Sequence, residues 1–304
     1  MPEFDRRSFL KTSLAMAAAS SLSQELLAAP ASKIRLGLIV PGGNHPAAAL
    51  KKVRSFDLPT AQLGMEDFSK AMVEQTASAI KETGIEITAI NCSGPGHLIY
   101  DFYQGPETIG VVPPKFRAER IAQLKAASDF AKKLGVKAVH THCGFIPENP
   151  NDPNYEPTVK ALKEVISYVR ENGQNFLFET GQETPITLLR AILDVGLDNQ
   201  RVNLDTANLI LYGKGNPVDA LDVLGKYVGG LHAKDGLFPT NPKELGNEVA
   251  IGQGKANFPV LIKRLKQLNY SGPITIEREI EGAQQGEDIR KSKVYLEGLI
   301  NSPV

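Results

Sequence analysis

The chain of 304 residues reads as an α/β protein, a (β/α)8 TIM barrel. Three observations predict this. Short apolar runs alternate eight times with longer segments of helical periodicity. The connections are short, which for strand–helix alternation implies parallel strands and crossover helices. Eight such units in roughly 270 residues match the usual size of this barrel. An open doubly wound sheet is the competing layout. It would want a glycine-rich phosphate turn after the first strand, and "VPGGNHP" at 40–46 lacks that spacing.

The elements follow in order. Residues 1–31 stand apart. "DRRSFLKTSLAMAAASS" carries Arg6 and Arg7, then Phe9, Leu10 and Lys11, an alanine-rich stretch, and the small residues Ala29, Pro30 and Ala31. This resembles a twin-arginine export signal, with Asp5 where Ser or Thr is usual, and cleavage leaves a mature start near Ser32. The resemblance implies the twin-arginine export machinery as a partner and a periplasmic or exported location. It also implies passage in the folded state, often with a cofactor already loaded. The signal removes Glu3, Asp5 and Glu25 together with Arg6, Arg7 and Lys11, so the balance of 34 basic and 34 acidic residues stays neutral. No polyanion is favoured as a partner, and nucleic acid is disfavoured. No apolar run after residue 31 approaches the roughly 20 residues of a membrane helix.

Residues 32–304 are expected to form one catalytic domain. Its strands are "IRLGLIV" (34–40), "LPTAQLG" (58–64), "IEITAIN" (85–91), "VKAVHTH" (136–142), "NFLFET" (175–180), "RVNLDT" (201–206), "VGGLHA" (228–233) and "PITIER" (273–278). The segments 65–84, 117–135 and 156–173 between them have apolar residues at three- and four-residue spacing and each ends in glycine, the pattern of an amphipathic helix with its stop signal. Cys92 and Cys143 follow neighbouring strands. An oxidising compartment permits a bridge between them, folding before export argues against it, and two small buried residues are the plainer expectation.

The strand ends carry the chemistry. Side chains alternate with a period of two. Glu179 therefore shares a face with Leu177 and opposes Phe176 and Phe178. Asp205 shares a face with Asn203 and opposes Val202 and Leu204. His232 pairs with Gly230, and Glu277 with Thr275. Four strands thus turn bulky apolar residues to the helix layer and end, on the barrel interior, in metal-ligating types. All four would meet at the carboxyl end, where active sites of this fold lie. Three carboxylates and an imidazole suit one divalent ion, Mn²⁺, Mg²⁺, Co²⁺ or Zn²⁺, and carboxylates so close together demand a cation. One such residue alone would be read as a solvated strand end.

The ordered set "INCSGPGH", "HTHCGFIPE", "FLFETGQET", "VNLDTANLILYGKGNPVDAL", "GGLHAKDG", "IGQGKANFP" and "ITIERE" resembles the sugar isomerase/epimerase family with xylose-isomerase-like barrels, over essentially the whole mature chain. The resemblance implies that Glu179, Asp205, His232 and Glu277 hold the metal, with Glu179 and Glu277 also acting as acid and base. Where that family often has histidine three residues after the aspartate, this chain has Asn208, a candidate substrate contact. Relatives that repair abasic DNA use several zinc ions and many more histidines than the five here, and the nuclease reading is rejected. Barrels of this family often pair, which leaves a homo-oligomer open.

Around the metal, His140 and His142 point inward, and His142 is the candidate acid/base or substrate contact, against a hydrogen-bonded core histidine. Lys234 is expected to polarise a substrate oxygen or to form an ion pair. Gln182 is a candidate hydroxyl reader. Arg278 is a weaker substrate candidate, because alternation turns it away from Glu277. The loop Gly252–Gln253–Gly254 lets backbone approach a ligand closely, or is an ordinary turn. The segment after the third strand, with Tyr100, Phe102 and Tyr103, and the one at 144–158 are placed to roof the site or to pack on the rim. The expected function is a divalent-metal-dependent isomerase or epimerase of a keto-sugar or related carbohydrate, working by glutamate proton transfer through a metal-held enediolate. A lyase or dehydratase acting on a keto-sugar or 3-keto glycoside uses the same enolate chemistry and is the alternative. A non-catalytic sugar-binding protein with a structural metal is the second, and the intact pair Glu179 and Glu277 argues against it.

Replacing Arg6 and Arg7 together with lysine is expected to hold the protein in the cytoplasm, because the export pathway reads the guanidinium pair. Fractionation checks this, and normal export of the double variant overturns the assignment.

Overall fold

The structure, a computed structural model, describes residues 34–303. The export signal and its cleavage site lie outside the described residues. Eight parallel strands close a barrel: β1 (Arg35–Pro41), β2 (Thr60–Gly64), β3 (Glu86–Asn91), β4 (Ala138–His142), β5 (Asn175–Glu179), β6 (Gln200–Asp205), β7 (Val228–Ala233) and β10 (Pro273–Ile276). Each pairs with its neighbours in the chain, and β10 closes on β1 with Leu36 beside Ile274 and Leu38 beside Ile276. The predicted strands are all present, within two residues at either end. Sequence patterning held no hint of the antiparallel hairpin β8 (Asp235–Leu237) and β9 (Asn247–Val249) inserted before β10.

Helix ends follow local chemistry. The helix Lys70–Thr83 begins where the Ser69 hydroxyl accepts from Met72 N–H, and ends at left-handed Gly84. The helix Pro185–Val195 begins at a Thr184 cap with proline in its first turn and ends at left-handed Gly196. A side-chain cap supplies the acceptor that the first turn lacks, and glycine enters the left-handed region without a Cβ clash.

The barrel sorts its side chains as the period of two requires. Leu38, Val40, Leu63, Phe176, Phe178, Val202, Leu204, Leu231, Ile274 and Ile276 belong to the large core between strands and helices. Inside the barrel the apolar filling is small: Ala89, Ala138 and Leu177 form a separate cluster. Towards the carboxyl end the interior turns polar, with Gln62, His140, Glu179, Asn203, Asp205, His232 and Thr275 all buried. Buried polar groups need partners, so this half of the barrel is organised by hydrogen bonds.

Two loop structures frame that end. The segment 93–114 forms one wall of the mouth. Arg120, 1% exposed, donates to Pro95 O and Gly110 O, and Arg117 donates to Val111 O and Val112 O. Val111 N–H donates to Cys143 O, and the chains touch backbone to backbone there: a Cβ on Gly110 would lie 2.0 Å from the Cys143 carbonyl, and one on Gly144 2.2 Å from Ile109 O. The second structure is held by Asp235, whose carboxylate accepts from the N–H groups of Gly236, Gly252, Gly254 and Ala256. A Cβ on Gly254 would lie 2.1 Å from Asp235 Oδ1. The close approach that the Gly252–Gln253–Gly254 loop permits is therefore to this carboxylate. Cys92 and Cys143 are free, buried thiols.

Just past β5, Glu183 is 2% exposed, and its Oε2 has no hydrogen-bond partner. Burial pushes its carboxyl up to about 8. The native chain thus keeps a proton that the unfolded chain releases near pH 4.3. This group's contribution to stability is present below that pH and is lost as pH rises through about 8. Glu183→Gln is expected to gain Tm relative to the wild type as pH rises from 4 to 8.5. Thermal unfolding at both pH values checks this, and a difference that does not change with pH overturns it.

Candidate active site

Strands β5, β6, β7 and β10 deliver one ligand-type residue each to the barrel mouth. Atoms of Glu179, Asp205, His232 and Glu277 all lie within 4.8 Å of one another. His232 Nδ1 is 2.8 Å from Glu179 Oε1, 3.0 Å from Glu277 Oε2 and 3.6 Å from Asp205 Oδ2. Glu277 lies one residue beyond the last assigned residue of β10, but its N–H still donates to Ala233 O at 3.0 Å, so it keeps its place on the ladder. Asp205 is oriented by its own chain, its Oδ1 accepting from Ala207 and Asn208 N–H.

Two amides set the imidazoles. Gln62 on β2 donates its Nε2 to Asn203 Oδ1, which leaves Oε1 to accept from His232 Nε2 at 2.7 Å. A proton of His232 therefore sits on Nε2, and Nδ1 faces three carboxylates. Asn91 on β3 presents Nδ2 to His140 Nδ1 at 2.8 Å, so His140 carries its proton on Nε2, against Glu179 Oε2. His142, 14% exposed at its side chain, brings Nε2 to 3.3 Å from the same oxygen. Asp205 Oδ2, Glu277 Oε2 and His232 Nδ1 are buried with no hydrogen-bond partner.

The charges are strongly coupled. Burial alone would lower the basicity of His232, but Glu179 and Glu277 outweigh it and hold its pKa well above that of an ordinary imidazole. Burial pushes the Glu179 carboxyl up, yet His142, His140 and His232 together keep it well below the usual range. Glu277 is likewise raised by burial and held below by Lys234 and His232. At Asp205 burial wins and lifts the carboxyl to about 7. The carboxylates thus draw positive charge to Nδ1, a second proton or a cation in its place, and Glu179, Asp205, His232 and Glu277 could hold a divalent ion. Their spacing fits bonds of about 2.0–2.2 Å to a single ion.

The remaining candidates divide. Lys234 is fully buried; its ammonium lies 3.7 Å from Glu277 Oε2, meets Glu279 Oε2, and donates to Asn208 Oδ1 at 3.4 Å. Gln182 is 1% exposed with neither amide atom partnered, and Tyr212 Oη nearby is unpartnered too. The Tyr100 ring stands edge-on to His142 at 5.6 Å, and Phe102 and Phe145 pack on Tyr212. Tyr103 is 62% exposed and makes no such contact. Arg278 is not brought to the cluster: its guanidinium pairs with Glu248 on β9 and with Asp288. Sequence reasoning missed Gln62, Asn91, Tyr212, Glu248 and Glu279. Gln62 and Asn91 carried a readable signal, a lone amide on the interior face of an apolar strand.

Residues 47–298 match the family described as xylose isomerase-like TIM barrel. Residues 3–23 match the twin-arginine translocation pathway signal sequence, so the chain is an exported, periplasmic protein. Among the described residues no helix is long and apolar enough to cross a membrane. The uncharacterized protein MJ1311 of Methanocaldococcus jannaschii is 28% identical over 211 residues, 63% of this chain and 68% of that one. A xylose isomerase domain protein from Planctomyces limnophilus superposes with a TM-score of 0.79 at 32% identity, covering 88% of this chain and 97% of its own. The 3-keto-D-glucoside 4-epimerase YcjR of E. coli superposes with a TM-score of 0.64 at 16% identity, covering 88% and 100%. With its closed eight-stranded barrel and a match running from the first helix to the last, the chain belongs to the xylose isomerase-like TIM barrel family.

Proposed function

We propose that the protein is a divalent-metal-dependent isomerase or epimerase of a keto-sugar. The observation that carries this is the His232 ring, held at Nε2 by Gln62 with its Nδ1 turned on three carboxylates from three other strands. Glu179, Asp205, His232 and Glu277 would hold the ion. Bound there, it supplies Lewis acidity towards a carbonyl oxygen and so acidifies the neighbouring C–H. Glu179 and Glu277 come from strands separated by β6 and β7, and so stand on opposite sides of the space between them. One takes the carbon-bound proton and the other returns it. Return to the opposite face of the same carbon is epimerisation; return to the adjacent carbon is isomerisation.

The other residues bind, orient and relay. His142 touches Glu179 and reaches the mouth, so it passes that carboxylate's proton outward. Lys234 and Asn208 offer a linked donor pair to a substrate oxygen. The unpartnered Gln182 amide reads a hydroxyl. Tyr100 over His142 covers the apolar face of a sugar and excludes water. Arg278 acts through Glu248, bracing the hairpin, and does not touch substrate. That the fold neighbour YcjR bears the name of a keto-glucoside epimerase supports proton transfer over elimination.

Two tests bear on this reading. Purified without chelator, or after metal is added back, the protein is expected to hold one divalent ion per chain by elemental analysis. No stoichiometric metal under either condition overturns the site. A solvent-deuterium exchange screen over keto-sugars is expected to show incorporation next to the carbonyl. Glu277→Gln and Glu179→Gln should each lose about 10²–10⁴-fold in that exchange at full metal occupancy, while Arg278→Ala keeps measurable turnover. Near-normal exchange by metal-loaded Glu277→Gln overturns the two-glutamate mechanism.

A further inference from the structure

Beside the metal-type cluster, a cleft of about 420 Å³ runs from Glu277 across the carboxyl ends of β1 and β2 to the start of the last helix (Ala283–Asn301). Its volume is that of a small-molecule site; it adjoins the reacting centre at Glu277 and Asn91, and the rest of its lining has no part in the proton-transfer reading. The floor is Ile39, Val40, Pro41 and Gly64. Gly64 leaves it open: a Cβ there would meet its nearest atoms, in Val40 and Pro41, only at 3.7 Å. The walls are Lys52, Glu279, Glu281 and Gln285.

The charge of this lining selects its ligand. Glu277, Glu279 and Glu281 face the cleft with Lys52 and Arg278, and Lys234 stands behind it, paired with Glu279 and 3.7 Å from Glu277. Arg278 is already paired with Glu248 and Asp288. Lys52 is hydrogen-bonded to Gln285 Oε1 at 2.7 Å. A phosphate or carboxylate placed here would meet carboxylates first, and like charges in a cleft repel strongly. A neutral, hydroxyl-rich ring meets what it needs: carboxylate and amide acceptors, an ammonium donor, and an apolar floor for its C–H face. The opposite side of the mouth is walled by Tyr100 against His142 and by the segment that Arg120 anchors, so a substrate longer than one ring extends into the cleft.

The geometry points to a second binding position over β1 and β2 for a neutral sugar ring joined to the one that reacts. The preferred substrate is then a keto-sugar glycoside, in preference to a free or phosphorylated ketose. This rests on the keto-sugar reading of the adjoining cluster.

The test compares solvent-deuterium exchange for three probes on the metal-loaded mature protein: a hexose oxidised to a ketone at a ring carbon other than the anomeric one, the same keto-sugar carrying a second hexose on its anomeric oxygen, and its 6-phosphate. The disaccharide is expected to exceed the free sugar in kcat/KM by at least about tenfold, with the phosphate slowest. Gly64→Leu fills the cleft and should bring the disaccharide-to-monosaccharide ratio close to one. Glu281→Lys, a surface change that does not threaten folding, should raise kcat/KM for the phosphate several-fold relative to the free sugar. If wild-type enzyme exchanges the free sugar and the disaccharide equally, or favours the phosphate, the second position is refuted while the keto-sugar reading stands. The second position is likewise refuted if neither substitution moves its ratio. If none of the three probes exchanges, both readings fall.

Discussion

Gln62 offers His232 a carbonyl oxygen while Asn91 offers His140 an amide N–H, and the opposite sense of these two hydrogen bonds is the constraint on which the polar half of the barrel depends. An imidazole has one donor and one acceptor nitrogen when neutral, and its partner chooses which is which. Here the choice makes His140 a donor to Glu179 and turns Nδ1 of His232 to the carboxylates. The Gln62 amide is itself fixed, because Asn203 accepts its N–H from across the barrel. Residues from β2, β3 and β6 that carry no charge thus determine where charge is needed on β5, β7 and β10. Second-layer partners of this kind orient ligating histidines in metal sites generally.

The fold was legible because each barrel strand obeys two rules at once. Phe176 and Phe178 against Leu177 and Glu179, or Val202 and Leu204 against Asn203 and Asp205, read correctly from alternation alone, and the buried cores match that reading. Alternation also placed the charged ends of four strands on one face, because strand direction and pleat are local properties. The hairpin β8–β9 was not legible: its strands are three residues each and carry no apolar pattern. The pairing of Arg278 with Glu248, and of Lys234 with Glu279, joins residues far apart in sequence around that hairpin. Alternation could say that Arg278 turns away from Glu277, but not towards what. The glycines at 252 and 254 signalled a close approach, and the approaching group, Asp235, could be named only once the loop had folded back on it.

Burial divides the carboxylates of the mouth into kinds with different duties. Glu179 and Glu277 are surrounded by imidazole and ammonium groups and stay ionised. Asp205 has one oxygen tied down by backbone N–H groups and the other bare. Glu183, a few residues from Glu179 along the chain, meets no cation closely and keeps its proton. The difference lies in neighbours and not in depth, since Glu179, Asp205 and Glu183 are all buried and only Glu277 is partly exposed. A carboxylate in a low-dielectric interior remains charged only where positive groups outweigh its lost hydration.

The backbone crossing at Gly110 and Gly144 has a consequence for how the site is reached. A wall pinned there, and again by Arg117 and Arg120, has no slack in which to swing as a lid. Mobile covers in enzymes depend on hinge residues free to change their backbone angles; here the residues with that freedom are locked against a neighbouring chain segment. The mouth is therefore a fixed wall on one side and, over the ends of β1 and β2, an open cleft on the other, so whatever adapts to a bound molecule must be the molecule and not the wall.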